Sequence, residues 1–176
     1  MREELLGSTK LFVDETTAPV LDPGRGRTKK GYFWVLARDD RPWRGGAPPA
    51  VVYSYAPGRS ADHAAALLEG YTGVLQTDGY AAYRSLADPK RAGGPATLAF
   101  CWVHWRRQFF DIAKSPPAPI AAKALKRIAE VYAIEAEIRG ESADERRAVR
   151  QDKAKPLVAA LMTWLEQTLA QVAGGS

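Results

Sequence analysis

Two aspartates stand where short apolar runs stop. Asp14 follows Leu11-Phe12-Val13, and Asp78 follows the run that begins Val74-Leu75. An acid at the end of a strand leaves the sheet where backbone pairing ceases, so its carboxylate reaches solvent or a cation without being buried unpaired. Pairs of carboxylates are what hard divalent cations take, because Mg²⁺ and Mn²⁺ prefer oxygen ligands and keep waters that exchange with substrate phosphate. Two such ions roughly 3.5–4 Å apart activate an attacking oxygen and stabilise the departing one. A lone aspartate of this kind more often caps a strand or opens a turn. Two on neighbouring strands favour a metal site, which a third carboxylate normally completes. Glu135 is the weak candidate for that third acid, because it interrupts the apolar stripe Ile128, Val131, Tyr132 and Ile138. The plainer reading pairs it with an arginine such as Arg139 or Arg147.

Cys101-Trp102-Val103-His104 has the spacing of a zinc half-site, but a structural zinc site takes four ligands and the chain holds no second cysteine, with His63 as the remaining histidine. Arg106 and Arg107 flank His104, and Arg84 follows Asp78 by six residues. Guanidinium groups there could pair with phosphates bidentately. Trp102, Trp105, Phe109 and Ile112 recur at helical spacing and are expected first as a buried stripe, with base stacking as the minor reading. The densest basic cluster, Arg25-Gly26-Arg27-Thr28-Lys29-Lys30, is either a solvated hairpin tip or a contact to a nucleic-acid backbone.

The elements that must position these groups come from a chain of 176 residues, 46% apolar and 26% charged, enough for one domain with an appendage. That composition excludes wholesale disorder. Twenty-five Lys and Arg against twenty Asp and Glu leave a formal charge of +5 and a pI near 9.4, which suits a polyanionic partner. One cysteine excludes a disulfide-stapled scaffold and points to a reducing cytoplasm. No apolar run approaches a membrane span, and the opening Met-Arg-Glu-Glu-Leu-Leu does not have the character of a signal peptide.

Up to Lys114, β-branched and aromatic runs alternate with Gly/Pro loops. Strands are expected at Leu11–Asp14, Tyr32–Ala37 and Ala50–Tyr55. Their connections are too short for a crossover helix, so the three should form an antiparallel meander. A helix over Asp62–Glu69 with Ser60 as its N-cap, a strand at 74–77, a brief helix over Ala81–Leu86, a strand at Thr97–Cys101 and a further helix complete the region. The last two strands, separated by helical material, should run parallel to their neighbours. Three antiparallel strands followed by two parallel ones with intervening helices is the order of the ribonuclease H-like fold. Residues 1–114 are therefore read as a ribonuclease H-like core, which the resemblance below makes a partial catalytic one, and 115–176 as a helical insertion or hairpin. In the second part Leu157, Leu161, Trp164, Leu165 and Leu169 share a helical face, and Glu141–Lys155 is expected as a solvated connection or frayed helix.

Five segments in register carry a resemblance: Phe12-Val13-Asp14-Glu15-Thr16, Gly31-Tyr32-Phe33-Trp34-Val35, Leu75-Gln76-Thr77-Asp78-Gly79-Tyr80, the run from Ala99 to Phe109, and Tyr132-Ala133-Ile134-Glu135. Together they resemble the central domain of the IS66 family of bacterial insertion-sequence transposases, over about Thr9 to Gly175. The resemblance implies a DDE-type enzyme in which two Asp and one Glu bind two Mg²⁺ or Mn²⁺ ions, cut a transposon end and join it to target DNA, in DNA transposition and recombination. It implies Asp14 as the first acid and Asp78 as the second, both catalytic and metal-binding. It puts Cys101 and His104 beside the active site, where His104 meets a DNA phosphate or steadies the metal site from behind. A hydrogen-bonded structural histidine stays open as the other reading. The family's third acid lies beyond a helical insertion, in a segment reading roughly Asp-Asn-Asn followed by Glu-Arg, and nothing of that kind occurs before Ser176. The chain is accordingly expected to be a middle piece with an incomplete two-metal site. DNA is the expected partner and self-association into a homo-oligomer is compatible with the family. A catalytically inactive remnant that binds only nucleic acid or a transposase partner is the alternative, and a plain nuclease cutting RNA in a hybrid duplex is a third.

Overall fold

The computed structural model describes residues 1–173, which form two compact units. The first comprises Met1–Asp39 with Ala47–Trp102, and the second Asp40–Gly46 with the residues from Val103 on.

The first unit is a five-stranded mixed sheet. After a short helix α1 (Arg2–Leu6), the strands β1 (Lys10–Asp22), β2 (Arg27–Arg38) and β3 (Ala50–Ala56) form an antiparallel meander. Helix α2 (Ala61–Leu67) leads to β4 (Val74–Thr77), and a 3-10 helix (Ala81–Ala87) leads to β5 (Thr97–Phe100). β4 lies beside β1 and β5 beside β4, both parallel, so the strand order is β3-β2-β1-β4-β5. The expected meander and both expected parallel pairings are present.

Sequence alternation explains which sheet face is covered. Leu11 and Val13 on β1, Trp34 and Leu36 on β2 and Leu75 on β4 all turn to one side, where Leu5, Ala64, Leu67, Leu68, Tyr71, Tyr83 and Leu86 close over them. Leu5, from the unanticipated α1, is fully buried, and Arg2 anchors the helix by donating to the carbonyls of Ala66 and Leu67 at 2.6 and 2.9 Å. The other sheet face carries Phe33, Val51, Tyr53 and Tyr55, each substantially exposed.

β1 and β2 run far past the expected limits, pairing without interruption from Phe12 with Ala37 to Asp22 with Arg27. β4 reaches only Phe12 on the other side of β1, which leaves that edge of β1 open, and β3 stops at Tyr32 of β2, so beyond Thr17 β1–β2 is a two-stranded ribbon. That open edge is why Pro19, which has no N–H to donate, fits opposite Lys30. The Arg25–Lys30 cluster forms the exposed end of this ribbon, with Arg25 3.6 Å from Asp22.

The second unit is helical: α3 (Trp102–Ala113), α4 (Pro119–Glu137), α5 (Ala143–Val149) and α6 (Lys155–Ala173), with a 3-10 turn at Arg41–Trp43. In α4, Ala121, Ala124, Ile128, Val131, Ile134 and Ile138 just beyond it are buried, and on α6 Leu161 is buried. Arg127 donates to the Ala160 carbonyl at 3.1 Å, and the cations of Lys123 and Arg127 lie over the Trp164 ring at 5.2 and 4.9 Å. The two long helices thus form the expected hairpin pair.

Three expectations are corrected. The charged segment 141–155 is ordered helix: Ser142 and Glu145 form a reciprocal capping box, and a π-helical turn at Arg150–Ala154 joins α5 to α6. The Trp102, Trp105, Phe109, Ile112 stripe of α3 is not buried, since no residue of that helix is and Ile112 is 59% exposed. Leu169 is 70% exposed, outside the packed face of α6.

Candidate active site

β1 and β4 are in parallel register through Lys10 with Val74, Leu11 with Leu75 and Phe12 with Gln76. Two residues beyond the last pair on each strand stand Asp14 and Asp78. In step with them on β5, where Gln76 pairs with Ala99, comes Cys101. The three positions therefore lie at one level on three adjacent parallel strands, just past the C-terminal ends of β4 and β5, with neighbouring strands about 4.8 Å apart. Asp14, expected at a strand end, instead lies within β1 opposite Val35 of β2, because β1 continues to Asp22. The Cys101 N–H donates to the Thr77 carbonyl at 2.8 Å, closing the strand end, and the thiol is half-buried.

The turn after β4 explains how Asp78 is held. Gly79 takes φ +92°, a conformation costly for residues with a side chain, and its N–H donates to the buried Thr77 hydroxyl at 3.1 Å. The next amide, of Tyr80, donates to Asp78 Oδ1 at 2.8 Å. Asp14 Oδ1 accepts from the Glu15 N–H at 2.9 Å. Among the described residues no lysine, arginine or histidine forms an ion pair with either acid. Each carboxylate is steadied on one oxygen by a backbone amide and carries a negative charge without a basic partner. A donor set of two such oxygens fits a hard divalent cation. No group of three or more His, Cys, Asp or Glu side chains disposed to hold a metal ion occurs among the described residues.

Glu15, which follows Asp14 and is not among the residues singled out from the sequence, is held by two side chains. Its side chain is 3% exposed, accepts from the Tyr83 hydroxyl at 2.5 Å and from Arg59 Nη2 at 2.8 Å. Burial pushes its pKa up against the pull of the Tyr83 hydrogen bond and the Arg59 charge, and the nearby carboxylates of Asp78 and Asp14 push the same way. Burial likewise raises the Tyr83 hydroxyl, with Glu15, Asp78 and Asp14 adding to it. Asp14 and Asp78 thus both lie within electrostatic reach of Glu15 and Tyr83. The signal was present in the sequence: Glu15 is in phase with Leu11 and Val13, hence on the covered side of the strand.

The remaining candidates each belong to one of the two units. Arg84 is exposed on the 3-10 helix that follows Asp78. In the helical unit, Arg106 and Arg107 are exposed on α3; Arg106 lies 5.9 Å from the Phe110 ring, and Arg107 is 4.0 Å from Asp111. His104 is half-buried with its Nδ1 enclosed and without a hydrogen-bond partner. Glu135 is gripped by Arg150 through two 2.6 Å hydrogen bonds, with Arg146 at 3.6 Å. An arginine pairing was the plainer reading, although the partners are 150 and 146 rather than 139 or 147.

The Arg150 hydrogen bonds hold the Glu135 pKa below its ordinary value. A lowered folded-state pKa stabilises the fold above the ordinary glutamate range, and that contribution is lost as pH falls through the range and below it. Acid titration of the helical circular dichroism is therefore expected to show a destabilising step below about pH 4.3 that Glu135→Gln reduces. Superimposable titrations would mean the clamp adds no stability in solution.

A mixed α/β chain with two carboxylates at one level on adjoining parallel strands is the class that sheet and site define. This chain belongs to the transposase IS66 family, whose sequence model matches residues 1–176. It is 41% identical over 177 residues to the uncharacterized protein y4qI of Sinorhizobium fredii (strain NBRC 101917 / NGR234), covering 99% of this chain and 33% of that protein. Two further uncharacterized proteins of the same strain, y4jD and y4hP, are 48% identical over 151 residues and 37% identical over 184. These cover 85% and 98% of this chain, and 30% and 33% of the relatives. The chain thus spans about a third of the length of the curated relatives it matches. No solved structure matches it. No helix among the described residues is long and apolar enough to cross a membrane.

Proposed function

We propose that this chain is the part of an IS66-type DDE transposase that supplies its first two catalytic carboxylates, Asp14 and Asp78, on a ribonuclease H-like sheet. The strand order β3-β2-β1-β4-β5, antiparallel on one side of β1 and parallel on the other, supports that fold. The observation that carries the reading is the register bringing two acids without basic partners to the same level on β1 and β4. Asp14 and Asp78 would hold Mg²⁺ or Mn²⁺, which when bound polarises phosphate and activates an attacking oxygen. The chain's own contribution is orientation: the Glu15 and Tyr80 amides each fix one carboxylate oxygen and leave the other free to face a cation. The substrate is DNA, a transposon end and its target. The third carboxylate belongs, by the family pattern, to an Asp-Asn-Asn and Glu-Arg segment that residues 1–176 do not contain.

Labelled transposon-end DNA incubated with the chain and Mn²⁺ tests this. The expected result is weak cleavage or joining that Asp78→Asn abolishes. Equal turnover by both proteins removes the catalytic role of Asp78. The lack of a third acidic ligand among the described residues favours a second reading, in which the chain binds nucleic acid without turnover. Binding that weakens steeply with salt while neither protein cleaves supports that reading instead.

A further inference from the structure

We infer that Glu15 is a positioning residue for the acid pair, setting the geometry of Asp78 relative to Asp14 from the opposite face of the sheet; this rests on the metal-binding reading above. Glu15 follows Asp14 directly on β1, so anything that grips its side chain grips the backbone that carries Asp14. Both of its partners come from segments that also govern Asp78. Tyr83 sits in the 3-10 helix reached through the Asp78-Gly79-Tyr80 turn, and its hydroxyl meets Glu15 at 2.5 Å. Arg59 holds Glu15 at 2.8 Å while its guanidinium lies 3.8 Å from the centre of the Tyr80 ring.

Tyr80 in turn donates its hydroxyl to the Arg59 carbonyl at 3.1 Å and its amide to Asp78 Oδ1 at 2.8 Å. The path from Asp14 to Asp78 is therefore closed twice, through Tyr83 and through Arg59 and Tyr80. β4 pairs with β1 only as far as Phe12, so the ladder between the two strands stops short of the acids. The side-chain network supplies the tie there. Its Glu15 and Tyr83 ends are buried while the Arg59 side chain is 42% exposed, so the Tyr83–Glu15 bond is the one that water does not compete for.

Mn²⁺ binding to the whole chain, followed by electron paramagnetic resonance at a temperature where circular dichroism shows every variant folded, tests this. Tyr83→Phe removes one oxygen and no charge, and is expected to weaken Mn²⁺ binding about tenfold, the lower end of what outer-sphere partners of metal ligands contribute. Glu15→Gln should weaken it at least as much, and the double variant no further than the stronger single one, because both act through one tether. If Tyr83→Phe binds Mn²⁺ with wild-type affinity, the positioning role is overturned, whatever Glu15→Gln does through its charge alone. Asp78→Asn is the separate control: wild-type affinity in that variant overturns the acid-pair reading itself. Where Glu15→Gln does not fold, Tyr83→Phe decides.

Discussion

Asp14→Asn and Asp78→Asn are each expected to weaken Mn²⁺ binding by roughly 100-fold or more, since even outer-sphere partners are worth 10–100-fold, while folding stability without metal stays level or rises. The two halves of this expectation have one cause. Neither acid has a basic partner among the described residues, so replacing the carboxylate by an amide sacrifices no ion pair. The amide oxygen of asparagine still accepts from the Tyr80 or Glu15 N–H, so the local turn survives. Two like charges at one level on adjoining strands also repel one another, and neutralising either removes that repulsion. Thermal unfolding against Mn²⁺ concentration gives the readout. Wild type should gain about 2.7 kcal/mol when metal is a hundredfold above the dissociation constant, and the variants should stay flat over the same range. An equal rise in all three proteins would put the ion elsewhere on the chain.

Trp34→Ala should cost about 3–5 kcal/mol, the range for emptying a buried tryptophan site. Trp34 is 1% exposed in the sheet core, pairs across β1–β2 with Glu15, and meets Tyr83 edge to face at 6.0 Å between ring centres. Its indole N–H also donates to the Gly58 carbonyl at 3.2 Å, beside Arg59. Truncation therefore leaves a void under the Glu15 network and an unsatisfied acceptor next to Arg59. At about 4–8 °C per kcal/mol for a unit of this size, the melting temperature should fall by more than about 12 °C. A fall of only a few degrees in calorimetry would mean that the sheet collapses around the void or that the ring is not packed as described.

The strands and their order were legible because each is a short apolar run with its own turn residues. Leu11, Val13, Leu75 and Leu98 announce themselves by alternation, and all but the partly buried Leu98 lie fully in the core. The length of β1 was not legible. Thr16 to Leu21 has weak alternation and a proline, and it becomes strand because Arg27–Phe33 pairs with it. The α3 stripe shows the converse failure: helical spacing of Trp105, Phe109 and Ile112 marks an amphipathic face without saying what, if anything, covers it. The segment 141–155 looked too charged to be ordered, yet the Ser142–Glu145 box and the Arg150–Glu135 pair supply what its apolar content does not.

Sequence alone determined the element order, the two acids that follow apolar runs and the family, since each is written in local patterns of apolar spacing and in motifs of a few residues. Tertiary structure decided which acids share a level of the sheet and which are neutralised. Glu15 finds Arg59 and Tyr83 at sequence separations of 44 and 68 residues, and Glu135 finds Arg150 only because the capped helix and its π turn bring that side chain round. Apolar burial is non-directional and leaves its trace in periodicity, whereas an ion pair depends on a few ångströms of separation that only the closed fold sets.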